Sequence, residues 1–75
     1  MKAFVLVNVR AGQAPGVLAA LRRAASVQLA HACWGRPDIF ALVEVKNERA
    51  LGNLVIDKIQ SIDGIESTDT HIIID

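Results

Sequence analysis

Two seven-residue runs, AFVLVNV at residues 3–9 and IFALVEV at residues 39–45, constrain this chain more than any other feature. Laid over one another they match Phe4 with Phe40, Leu6 with Leu42, Val7 with Val43 and Val9 with Val45. Both are β-branched and aromatic and too short for a buried helix of ordinary length, so each reads as a strand. After the first, Gly12, Pro15 and Gly16 break the pattern, and Pro15 suits an opening helical turn. Val17, Leu18, Leu21, Ala24 and Ala25 then recur at helical spacing, with Arg22 and Arg23 off that stripe. Residues 27–34, VQLAHACW, form a second, less apolar strand that ends in the tight-turn composition Gly35-Arg36-Pro37-Asp38. Beyond the third strand, Asn47 is suited to cap a second helix running to about Gln60, with Leu51, Leu54, Val55, Ile59 and Ile62 on one face. Asp63-Gly64 supplies the stop, and residues 66–74 read as the last strand.

The order βαββαβ predicts an α+β fold. Two βαβ units with right-handed crossovers interleave most simply into one antiparallel sheet of strand order 4-1-3-2 with both helices on one face, the ferredoxin-like arrangement. The parity of the two central strands then assigns surfaces. Odd positions, Ala3, Val5, Val7, Val9 and Ile39, Ala41, Val43, Val45, are small or β-branched and suit the layer under the helices. Even positions carry Phe4, Leu6, Asn8 and Phe40, Leu42, Glu44, and no second helical layer covers that face. Phe4 and Phe40, side by side with Leu6 and Leu42, make an apolar patch whose usual explanation is an interface. A sheet-to-sheet dimer is expected, in which a buried Glu44 would need a partner such as Arg10 or Lys46.

Size points the same way. A chain of 75 residues with 52% hydrophobic side chains is one domain, and at this size folding hides only about 60% of the unfolded surface. Cys33 is the only cysteine, which excludes an intrachain disulfide and a cysteine-rich zinc cluster and leaves oligomerisation as the stabilising device. Eight basic residues balance eight acidic ones, so the charge footprint of a protein that grips phosphate backbones is missing. Asn8 and Arg10 interrupt the apolar start and no small-residue cleavage site follows, so no signal peptide is read there. No window approaches a membrane span. A cytoplasmic location is expected, in keeping with a lone cysteine.

Candidate chemistry is sparse. Ser67, Asp69 and His71 share one face of the last strand, but Ser67 and His71 are then about 13 Å apart, far beyond nucleophile-to-base reach. They read as polar positions on an edge strand. His31 and Cys33 share a face of strand two without direct contact, and His71 lies at the opposite edge, so a third metal ligand is hard to gather; packing is the plainer role, free cysteine being most often buried. The two phenylalanines mimic an RNA-stacking platform, yet the glycine, aromatic and basic surroundings of that module are missing. No catalytic residue, metal or cofactor is assigned. Polar groups with binding potential lie in the turn at residues 35–38 and in the segment Ser67-Thr68-Asp69-Thr70. Gly35 permits close backbone approach, Asp38 can accept from an ammonium, and the threonine hydroxyls can serve a carboxylate or an amine. A plain hairpin turn uses the same residue types.

At those two segments the chain resembles the effector-binding (RAM) domain of the Lrp/AsnC transcriptional regulators. The likeness spans nearly the whole length: the strand AFVLVNV, an early glycine, the helix VLAALRRA, the strand VQLAHACWG entering a Gly-x-x-Asp turn at Gly35 and Asp38, and the closing DGIESTDTHIII. Gly64, Ile65, Thr68 and Thr70 fall in register with the family's Gly-Val-x-x-Thr-x-Thr ending. The resemblance implies a sheet-to-sheet homodimer through Phe4, Leu6, Phe40 and Leu42, assembly of dimers into higher oligomers, and a small effector, typically an amino acid, bound between subunits. Gly35, Arg36 and Asp38 would approach that effector from the turn, and Thr68 and Thr70 from the neighbouring part of the interface. Full-length members carry a DNA-reading helix-turn-helix; a first strand starting at about residue 3 leaves no room for one here, so the expected partners are the effector, copies of itself and full-length Lrp/AsnC regulators, without direct DNA binding or a membrane. One departure is Pro37, where the family usually has an aromatic residue before the aspartate.

Two other functions compete with this non-enzymatic sensing module. An ACT-like amino-acid-binding domain shares the βαββαβ order. A dimeric α/β-barrel enzyme of the small monooxygenase or isomerase type also pairs such sheets, but needs an enclosed cavity with convergent polar groups, for which Asn8, Glu44 and His31 are the only candidates.

Overall fold

A computed structural model describes residues 1–75. Its elements are β1 (Lys2–Val9), α1 (Ala14–Arg23), β2 (Val27–Ala32), β3 (Ile39–Glu44), α2 (Glu48–Asn53), which continues directly into a π-helical segment (Leu54–Ile59), and β4 (Ile65–Ile72). The strands form one antiparallel sheet in the order β2-β3-β1-β4, which is the expected 4-1-3-2 order counted from the other edge. No helix is long and apolar enough to cross a membrane.

The parity of the central strands decides the core. Ala3, Val5, Val7, Ile39, Ala41 and Val43 have no solvent exposure, and they meet Val17 and Leu21 of α1 and Leu51, Leu54, Val55 and Ile59 of the second helical segment. Each large side chain in this layer contributes roughly 1.5–3 kcal/mol by leaving water. Small residues on the central strands let the helices lie close, and the bulk comes from the helical side.

α1 begins with Pro15 in its first turn and ends where Ala24 turns extended. Arg22 and Arg23 occupy its last turn, where cations suit the negative end of the helix dipole. Arg22 also folds over the outer edge of the sheet, donating from Nε (3.1 Å) and Nη2 (2.8 Å) to the carbonyl of Ala30 in β2. An edge-strand carbonyl is thereby withdrawn from pairing with another chain. At α2, Asn47 Oδ1 accepts the N–H of Ala50 at 2.9 Å, the cap read from the sequence. The expected regular helix to Gln60 instead widens after Asn53, so that Gln60 N–H donates five residues back to Val55 O at 2.8 Å.

Two strand ends differ from expectation. β2 stops at Ala32, leaving Cys33 and Trp34 in the loop, because Cys33 N–H donates to Asp38 O at 2.8 Å and closes the loop there. Cys33 is accordingly exposed, not buried. β4 stops at Ile72 because its partner runs out: Ala3 pairs with Ile72, and Ile73 N–H takes the last bond to Lys2 O at 2.9 Å.

Candidate functional site

The turn between β2 and β3 is fixed by one side chain. Gly35 sits at φ +104°, a conformation other residues rarely adopt, and nothing lies within 4 Å of where its Cβ would be. The Arg36–Pro37 peptide is cis. Asp38 then prolongs the pairing of β3 with β1: its N–H donates to Val7 O at 2.9 Å, and its Oδ2 accepts the N–H of Val9 at 2.8 Å. Val9 lies just past the last β1–β3 pair, Val7 with Ile39, so the carboxylate takes up a backbone donor that the end of strand pairing leaves free.

Because of that bond, Asp38→Ala is expected to cost about 1–3 kcal/mol of stability, the penalty for leaving a buried N–H without an acceptor. Asp38→Asn keeps an acceptor oxygen and is expected to cost less than half as much. Urea denaturation of the two variants at equal protein concentration checks this, and equal losses would remove the anchor role.

Arg36 reaches from the same turn across the end of β1 to β4. Its Nη2 donates to Glu66 Oε1 at 2.9 Å, and its Nη1 lies 3.5 Å from Asp38 Oδ2. The hydrogen bond to Glu66 is the main cause of an upward displacement of the guanidinium's already high pKa, with Asp38 adding to it, so Arg36 stays charged. Glu66 is a member of this cluster that sequence reading did not single out.

Thr68 and Thr70 stand apart from the turn. They pair with Val7 and Val5 of β1 and are half-buried. Thr68 Oγ1 accepts from Gln60 Nε2 at 2.9 Å. Thr70 lines a cleft of about 320 Å³ between the second helical segment and β4, with Leu51, Val55, Ile56 and Ile72. Of the five residues assigned to effector binding, the protomer therefore gathers Gly35, Arg36 and Asp38, and leaves the two threonines on the helical side of the edge strand. None of the protomer's clefts is lined by Gly35, Arg36 or Asp38.

The open face of the sheet carries the apolar patch. Phe4 is 43% and Phe40 39% exposed, and Leu29 of β2, at 45%, joins them. Register corrects the expectation that the two phenylalanines stand side by side: Phe4 faces Leu42 and Phe40 faces Leu6, so the rings are diagonal. A shallow hollow of about 300 Å³ is lined by Phe4, Leu6, Phe40 and His71. Polar pairs border it. His71 Nε2 is 2.8 Å from Asp69 Oδ2, and Asn8 Nδ2 donates to Ser67 Oγ at 3.1 Å, so the serine bonds to an amide and not to the imidazole. Asn8 Oδ1 is buried without a partner.

His31 lies 3.5 Å from Arg22 Nη2 through Nδ1. No three His, Cys, Asp or Glu side chains converge as a metal site. The largest cleft, about 620 Å³, lies at the other end of the sheet and includes Glu44, Lys46 and Asp57 but not His31. In the protomer Glu44 accepts from Gln28 Nε2 at 2.6 Å, and Arg10, at the far end of β1, pairs with Asp63 at 2.8 Å.

Comparison with known proteins places this geometry. The family model described as the Lrp/AsnC ligand binding domain matches residues 2–75. An uncharacterized HTH-type transcriptional regulator of Pyrococcus horikoshii, PH0140, is 32% identical over 95% of this chain and 45% of its own length. Among solved structures, AsnC of E. coli superposes with a TM-score of 0.93 at 33% identity, over 99% of this chain and 50% of that one. TTHA0845 of Thermus thermophilus superposes with a TM-score of 0.93 at 28% identity, over 99% of this chain and 92% of that one. The chain spans about half the length of PH0140 and AsnC. With strand order, parity and the Gly-x-x-Asp turn all in place, the chain belongs to the Lrp/AsnC ligand-binding domain family of transcriptional regulators.

Proposed function

We propose that this domain is a non-enzymatic, oligomeric sensor of a small effector, an amino acid, and that it modulates transcription in the cytoplasm through regulators that read DNA with a helix-turn-helix. The family match over residues 2–75 is the observation that carries the sensing role. The chemistry of the turn supports the ligand class. Arg36 offers a cation for a carboxylate, Asp38 offers negative charge for an ammonium with Oδ2 already anchored, and Trp34 beside them is fully exposed and can cover an apolar side chain.

The open geometry of the turn supports binding between subunits. Small-molecule sites ordinarily bury most of their ligand, and a protomer with no cleft at residues 35–38 needs a neighbour to supply the other wall. The apolar sheet face, with Phe4, Phe40 and Leu29 exposed, supplies the means of assembly.

Trp34 is the only tryptophan in the chain, so its fluorescence reports on the site directly. Titration with the twenty standard L-amino acids is expected to give at least one saturable blue shift of emission, confirmed by calorimetry. An absence of heat and of any spectral change across the whole set would leave the domain an assembly role only.

A further inference from the structure

Arg36, Asp38 and Glu66 do not stand on equal terms. Asp38 is 24% exposed and holds the Val9 N–H, so moving it would leave that donor without its acceptor. Glu66 is 47% exposed and its Oε1 is engaged by Arg36 alone. Arg36 is 59% exposed, and of its five N–H donors one makes a short bond to Glu66 while Nη1 makes only the longer approach of 3.5 Å to Asp38. An exposed pair of this kind contributes little, since solvent screens it and two long side chains must be held still. A planar guanidinium prefers a carboxylate that it can grip through two parallel bonds.

We propose that Arg36 is the carboxylate-capturing residue of this site and that the Glu66 carboxylate competes with the effector's carboxylate for it, so that Glu66 sets the affinity threshold of the sensor. The inference rests on the sensing function proposed above and names which group selects the ligand. Capture swings the guanidinium away from β4 while Asp38 keeps the turn in register, because the Asp38–Val9 bond does not involve Arg36. The effector must then carry a free carboxylate; the corresponding carboxamide cannot displace Glu66, having no charge to exchange.

Removing either end of the Arg36–Glu66 pair breaks the same contact, which makes the two variants a paired test. The full chain, its Arg36→Gln and Glu66→Gln variants, and Arg36→Lys are titrated with the twenty standard L-amino acids and with the carboxamide of each one that binds, following Trp34 emission and heat. Arg36→Gln is expected to weaken binding about ten- to a hundredfold, the scale of a lost charge-assisted hydrogen bond. Glu66→Gln is expected to tighten it about two- to fivefold, the scale of a released exposed ion pair. Arg36→Lys, which keeps the charge without the planar fork, is expected to fall between Arg36→Gln and the unmodified chain, and the carboxamides are expected to bind at least about tenfold more weakly.

If Arg36 only props up the turn, both neutral variants will weaken binding alike, and the competition is overturned. An amino acid that binds all four proteins with one affinity overturns it too, while leaving the sensing function intact. Failure of every amino acid with every variant overturns both.

Discussion

Gly64→Ala is expected to destabilise the domain by about 2–5 kcal/mol, from positive-φ strain and overpacking together. Gly64 lies at φ +104°, and a Cβ built on it would come within 2.8 Å of Gln13 Cβ and 3.0 Å of Val17 Cγ2. Val17 is fully buried and cannot retreat. The residue also fastens two loops, since Arg10 N–H donates to its carbonyl at 2.8 Å, so a shift that relieves the overlap pulls on the β1–α1 connection. A chain of this length has roughly 4–11 kcal/mol of total stability at the usual value per residue, and each kcal/mol lowers the melting temperature by about 4–8 °C. The variant is therefore expected to melt on the order of 10–30 °C lower. Gly12→Ala and Gly35→Ala separate the causes: both positions have positive φ, +79° and +104°, but nothing within 4 Å. Those variants should show the backbone cost alone, about 1–3 kcal/mol. Thermal unfolding of all three at one protein concentration checks the order, concentration being held fixed because assembly adds to apparent stability. Equal losses would show that the contact with α1 contributes nothing.

The central strands were legible because period-two alternation there is strict. Odd residues small and β-branched, even residues carrying Phe4, Leu6, Phe40 and Leu42, admit one assignment of faces, and a shift by one residue would reverse every side chain. Asn47 and Pro15 were legible as helix starts because their roles are local. The features that sequence did not yield are those created by pairing irregularity or by distance along the chain. The irregularity between Val27 and Leu29 in β2 breaks simple alternation, and Leu29 joins the exposed patch only through its pairing with Leu42. Glu66 meets Arg36 only because β4 pairs with β1 and the turn reaches over the end of β1, a contact between residues 30 positions apart. Asp38 was identified as a site residue, but its bond to Val9 depends on where the pairing of β1 with β3 ends. The threonines at 68 and 70, assigned by family resemblance to the neighbouring part of an interface between subunits, face the helical layer within the protomer.

Phe4→Glu is expected to abolish the proposed sheet-to-sheet dimer, raising its dissociation constant by at least about a thousandfold, the equivalent of roughly 4 kcal/mol. Phe4 stands at the middle of the patch, opposite Leu42 on one side and His71 on the other. An apolar centre within a polar border, here Asp69 with His71 and Asn8 with Ser67, is the ordinary anatomy of a protein interface. A carboxylate at that centre would be desolvated among groups already committed: His71 is held by Asp69, Arg36 by Glu66, Arg10 by Asp63 and Arg22 by Ala30, and Lys2, two residues along the same face, would have to fold over the patch to reach it. Desolvation of an unpaired charge costs several kcal/mol, which exceeds what the surrounding leucines can return. The fold itself should survive, because Phe4 is outside the core and its neighbours Ala3 and Val5 keep theirs. Ile56→Lys is the control, an equally apolar side chain, 65% exposed, on the second helical segment, where a charge should leave the dimer intact. Sedimentation of the unmodified chain at micromolar concentration should give a dimer or larger assembly, with Phe4→Glu at the monomer mass and an unchanged circular dichroism spectrum. A monomer for the unmodified chain would remove the interface. A Phe4→Glu variant that still dimerises would move the interface off the sheet, and the second wall of the effector site would then have to be sought against the turn at residues 35–38 itself.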